Sequence, residues 1–253
     1  TDDNLCLQSS SLPVNDVHIS NCSFSSVCAA IRIGLKSIGS ISDVHISHCS
    51  MKNVWREGIK IECSEGGNIS DINIQDITMN DVSRPIFILL NNRFEPDDLG
   101  SSLELDHIPE IGTMSDIIIS DIIASDSDEM RNTHYRFDDD VMGSPKFAGI
   151  RIDAEKNHPI RNLTLRNISY KFIGGVKLSD IPNEYPEVID KLIDCDTLSS
   201  ENYYPDWSRA SFMDIRNIIG LNVRNIQCFA IYPDERRGII TENVQFSDNS
   251  DNL

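Results

Sequence analysis

Apolar and polar residues alternate along most of this chain, with Ile and Val at every second position and almost no 3.6-residue rhythm. "NDVHISNCSF" at 15–24 returns as "SDVHISHCSM" at 42–51, "SDINIQDITM" at 70–79 and "SDIIISDIIA" at 115–124, with weaker echoes at 161–170 and 220–229. A second alternating segment follows the early copies: "AAIRIG" at 29–34, "EGIKIE" at 57–62, "RPIFIL" at 84–89 and, later, "AGIRID" at 148–153. Period-2 alternation is the signature of a strand with one buried face. Asp16, Asp43 and Asp71 are spaced by 27 and 28 residues. Two or three short strands cannot bury an apolar face alone, but successive repeats stacked about 4.8 Å apart bury a continuous core. The predicted architecture is all-β, a right-handed parallel β-helix spanning 1–253 as one domain with long loops.

Stacking predicts which residues share a row. Ile31/Ile33, Ile59/Ile61, Ile86/Ile88 and Ile150/Ile152 should point inward, as should Val17/Ile19, Val44/Ile46, Ile72/Ile74 and Ile117/Ile119. Cys22 and Cys49 occupy one repeat position and are expected to stack inside as small unbonded hydrophobes. Asn21, His48, Asp76, Asp121, Asn167 and Asn225 close the first strand of each copy, where short polar side chains suit a turn. Residues 92–113, 125–147 and about 174–212 interrupt the repeat and read as loops emerging from the stack, and the aromatic-rich 200–218 as a strand returning to it.

With the isoleucines of the second segment inward, Arg32, Lys60, Phe87 and Arg151 form one outward file, with Glu62 and Asp153 one step along. Setting "NLCL" at 4–7 one repeat earlier puts Leu5 beneath Ile31, Leu7 beneath Ile33 and Cys6 beside Arg32, with Asp2 and Asp3 just upstream on the same sheet as Arg32, Arg56 and Lys60. Such charges are either solvated or line a groove that binds a polymer. In the second case the acids suit glycoside hydrolysis, which uses two carboxyl groups, and the cations suit an acidic sugar.

Composition narrows the choice. The net charge of −18 argues against nucleic acid as a partner, since phosphate binding needs a basic face. No apolar stretch approaches the ~18 residues of a membrane helix. The seven cysteines include no CxxC pair, so no zinc or redox motif is suggested, and no P-loop, dinucleotide glycine pattern or GxSxG is present. No basic segment followed by an apolar one opens the chain, and no initiating Met is present. His18 and His45 share a repeat position and are expected as a surface ladder, and the sequons at Asn21, Asn68, Asn162 and Asn167 read as structural.

The N-terminal third resembles glycoside hydrolase family 28, the polygalacturonase family. "DDNLCLQS" at 2–9 is similar to that family's "GDDCIAIKS", "CAAIRIG" at 28–34 to "GHGISIGS", and "GIKIEC" at 58–63 to "GIRIKT". "GGNISDINIQDITMNDVSRPIFI" at 66–88 is similar to "GGxVxNIxxxNIxMxxVxxPIxI". The resemblance implies a right-handed parallel β-helix and an inverting mechanism with roughly 6.5–9.5 Å between acid and base. It makes Asp2 the general acid, Asp3 the residue that holds or activates water, and Lys60 a binder of a substrate carboxylate, with Arg32, Arg56 and Glu62 beside it. It implies no cofactor, a carbohydrate partner and a monomer. Family members are commonly secreted.

The departures matter equally. Ala29 stands where the family has a histidine, Glu62 where it has a lysine, and the family's further aspartate would lie upstream of Thr1, so the chain is expected to be the C-terminal portion of a longer catalytic domain. The expected substrate is therefore a pectin-related sugar other than ordinary polygalacturonan. Two alternatives stand beside this: a catalytically silent carbohydrate-binding protein, and a polysaccharide lyase using Ca²⁺, for which "FDDDV" at 137–141 is the only dense acidic run.

Overall fold

The structure, a computed structural model, describes residues 3–92, 109–127, 135–137, 140–142, 149–180, 210–248 and 250. It is all-β. Eleven strands join one parallel sheet: β1 (Leu5–Leu7), β2 (Val17–Ser20), β3 (Ser23–Phe24), β4 (Ile31–Gly34), β5 (Ser40–Cys63), β6 (Asn68–Leu90), β7 (Thr113–Ser125), β10 (Ile150–Ala154), β11 (Ile160–Gly174), β12 (Ala210–Tyr232) and β13 (Arg237–Phe246). The remaining two, β8 (Tyr135–Phe137) and β9 (Asp140–Met142), pair antiparallel inside a stretch expected to be loop. No described helix is long and apolar enough to cross a membrane.

The parallel register follows the repeats. One line of partners runs Leu5, Ile31, Ile59, Ile86, Ile150, Met213 and Ile239. A second runs Val17, Val44, Ile72, Ile117 and Leu163. The third runs Ser23, Ser50, Thr78, Ile123, Ser169 and Gln227. The inward isoleucines of the second, third and later repeats are fully buried and form one continuous cluster. Val17 and Ile19 differ from expectation: both are only partly buried, because β2 lies at the end of the sheet with a neighbour on one side alone. The segment at 200–218 enters the stack from Ala210 onward as β12, and its first ten residues lie outside the described ones.

The corners between strand segments explain the polar row. Asn21, His48, Asp76, Asp121, Asn167 and Asn225 all have φ between 51° and 59°, as does a second row of Asp16, Asp43, Asp71, Asp116 and Asn162. This left-handed conformation disfavours most side chains but is tolerated by Asn and Asp. Neighbouring repeats then bond corner to corner: Asn167 Nδ2 donates to Asp121 Oδ1 (2.8 Å) and Asn225 Nδ2 to Asn167 Oδ1 (2.9 Å). His18 and His45 stack as expected, with ring centroids 5.0 Å apart, each held by the aspartate two residues before it. Gly34, at φ +90°, permits a close approach of neighbouring strands: a Cβ there would lie 1.9 Å from the Glu62 carbonyl oxygen.

Candidate functional site

The outward file forms where expected, and from Lys60 to Asp214 it is shielded from solvent, while Cys6 at its end is exposed. Cys6, Arg32, Lys60, Phe87, Arg151 and Asp214 are successive partners across six strands, with Glu62, Leu89, Asp153 and Arg216 alongside. The side chains of Lys60 and Arg151 are 5% and 2% exposed, and Phe87 and Leu89 are buried with them. A lone charge in that position would be strongly unfavourable, so the file is internally paired.

At its N-terminal end Asp3 is 6% exposed and held on both oxygens. The backbone N–H of Ala29 donates to Oδ1 at 2.7 Å, while Oδ2 lies 3.0 Å from Arg32 Nε and accepts from the Cys6 thiol at 3.7 Å. Arg32 therefore meets Asp3 directly. Ala29 contributes its backbone N–H to this contact. Asp2 lies outside the described residues.

One repeat along, Lys60 Nζ sits 3.1 Å from Glu62 Oε2. Glu62 thus neutralises the lysine expected to bind a substrate carboxylate. Arg56 is buried at the corner beside Glu57, 3.5 Å away, rather than open on the sheet face, because the strand is irregular between Val54 and Glu57. Arg84, the strand partner of Glu57, approaches it at 3.8 Å and lies over the Phe87 ring at 5.1 Å, with Lys60 over the same ring at 5.9 Å. Burial pushes the Glu57 carboxyl upward, but Arg56, Lys60 and Arg84 outweigh it and hold the group below its ordinary value.

Beyond Phe87 the charges alternate again. Arg151 faces Asp214 across β10 and β12, and Arg216 acts electrostatically on Asp153. Arg151 Nη2 lies 3.5 Å from Asp153, and Arg216 Nε is 3.6 Å from Asp214 and 3.7 Å from Glu242. Burial, reinforced by Asp214, pushes the Asp153 carboxyl up to about 7 despite Arg151 and Arg216.

Sequence reasoning named Asp153 only as an outward residue and missed Glu57, Arg84, Asp214 and Arg216 as members of the network. A signal was present. "DIR" at 214–216 mirrors "RID" at 151–153, and aligning the repeats sets Glu57 against Arg84. In "FDDDV", Asp138 and Asp139 lie outside the described residues, and among the described residues no group of three His, Cys, Asp or Glu is placed to hold a metal ion.

Searches against protein-family models, curated proteins and solved structures gave no match.

Proposed function

We propose that the chain is a right-handed parallel β-helix of the polygalacturonase type that hydrolyses a pectin-related oligosaccharide with inversion. The observation supporting this is the placement of Asp3, Arg32 and Lys60, which the family resemblance singles out or sets close together, on one sheet face across adjacent strands. In this reading Asp2 protonates the glycosidic oxygen as the C1–O bond breaks. Asp3, oriented by Ala29 and Arg32, holds the water that attacks from the opposite side and takes its proton. Arg32 and Lys60 orient the sugar.

The test is product analysis of the full chain on a panel of pectic oligosaccharides. Asp3→Asn should lower sugar release by about 10²–10⁴-fold while leaving the denaturation midpoint of a folded protein measurable. Release that survives this change removes Asp3 from the mechanism.

A second reading is a binding protein without turnover. It is favoured by the pairing of Lys60 with Glu62 and of Asp3 with Arg32, which leaves these charges already matched. Calorimetric binding of the same oligosaccharides with no products would select it.

A further inference from the structure

We propose that Cys22 and Cys49 are a redox-modifiable pair that closes into a disulfide between adjacent layers of the sheet. Both are free thiols in this structure. Each follows a left-handed corner residue, Asn21 or His48. The register brackets them on both sides, with Ser20 opposite Ser47 and Ser23 opposite Ser50, so Cys22, in the two-residue break between β2 and β3, lies opposite Cys49 of β5. The Ser50 N–H donates to the Cys22 carbonyl at 2.9 Å, fixing the backbones at that position. Parallel strands lie about 4.8 Å apart, inside the roughly 4.4–6.8 Å Cα separation that a disulfide spans.

The two thiols make equivalent contacts, which the S–S bond would replace. Cys22 Sγ donates to the Ser20 carbonyl at 3.4 Å and Cys49 Sγ to the Ser47 carbonyl at 3.2 Å. The other described strand cysteines have no such neighbour. Cys6 faces Arg32, Cys63 faces Leu90 and Cys228 faces Tyr170. The pairing is therefore specific to one position in the repeat.

Access sets the order of events. Cys22 is partly exposed, whereas Cys49 is buried and its thiol is pushed up by that burial. With a disulfide oxidant such as oxidised glutathione, the Cys22 thiolate attacks one glutathione sulfur, forming a mixed disulfide and releasing glutathione thiolate. The Cys49 thiolate then attacks Cys22 Sγ and releases the second glutathione. Two thiols lose two electrons and two protons, and one glutathione disulfide becomes two glutathiones. The bond ties the end layer, which packs on one side only, to the layer behind it, whose inward side chains are buried in the core. This holds whether or not the chain acts on sugars.

The test is incubation of the full chain with oxidised glutathione, alkylation of remaining thiols, and non-reducing tryptic digestion with mass spectrometry. The expected product joins residues 1–32 to 37–52, is two hydrogens lighter than the sum of the peptides, and fragments to a Cys22–Cys49 link that dithiothreitol removes. Oxidation should raise the melting temperature by ~5 °C, since the crosslink restricts the unfolded chain. In Cys49→Ser, Cys22 should stop at the glutathione adduct with no such rise, and Cys28→Ser should behave like the parent. Alkylation of both Cys22 and Cys49 after oxidation, or a link from Cys22 to Cys6 or Cys28, would overturn the proposal. The parent's own digest decides this even if a variant fails to fold.

Discussion

Two rows of polar residues run along the stack of strands, one at its corners and one on its outer face, and they are stabilised by opposite means. At the corners, Asp121, Asn167 and Asn225 are exposed, have left-handed backbones, and bond to one another through short side chains. On the face, Glu57, Lys60, Glu62, Arg84, Arg151 and Asp153 are buried in strands and are held by charge. The corner row solves a backbone problem, since only a few residue types tolerate that φ. The face row has no backbone requirement to meet, and its members persist there because each buried charge has a counter-charge nearby. Exposure makes each corner contact weak and independent, whereas burial makes the face row strong and interdependent.

The sharpest way to break the comparison is to remove one charge from the face. Glu57→Gln leaves Arg56 and Arg84 with less compensation in a buried setting and should destabilise the fold by about 3–5 kcal/mol in urea denaturation. A loss below about 1 kcal/mol would mean that the face behaves like a solvated surface. The next effect depends on pH. Because the Asp153 carboxyl is raised to about 7 in the folded chain, its contribution is fully present below about pH 4 and is lost as pH rises to about 7. Asp153→Asn should remove this slope, so that the variant gains roughly 4 kcal/mol on the parent between pH 4 and pH 8. Parallel stability curves for parent and variant would contradict that.

The corner row should respond more weakly. Asn167→Ala loses two ladder hydrogen bonds and places a Cβ residue at φ 53°, a cost of about 2 kcal/mol, whereas Asn167→Gly loses only the bonds, about 1 kcal/mol. Equal losses in thermal denaturation would show that backbone conformation does not select these residues. The smallest effect has the opposite pH sense to Asp153. Hydrogen bonds from Asn167 and Ser120 lower the Asp121 carboxyl, and bonds from Ser115 and Asn162 lower that of Asp116. Their contributions are present at neutral pH and fade as pH falls through those lowered values, leaving a shallow acid-side slope that Asp121→Asn reduces.

Much of this was legible in the chain. The recurrence of "DVHIS" and "DINIQ" aligned Val17, Val44 and Ile72, and "NLCL" aligned Leu5 with Ile31, because a period-2 pattern admits only one register with the apolar side inward. The direct contact of Asp3 with Arg32 was less legible, because one-dimensional spacing placed them on one sheet without showing how their side chains meet. The pairing of Lys60 with Glu62 was hard to read for a related reason. Residues two apart on a strand share a face, but whether they turn to each other or to a ligand depends on what surrounds them.

The sequence by itself determined the strand type, the inward rows and the corner residues, since these follow from local geometry: alternation fixes which side chains face the core, and a left-handed φ restricts which residues can turn. Only the tertiary structure decided that the outer charges are buried and matched, and that burial and Asp214 raise the Asp153 carboxyl. Desolvation and the field of neighbouring charges depend on everything packed around a group, and no property of the residue or its spacing carries that information.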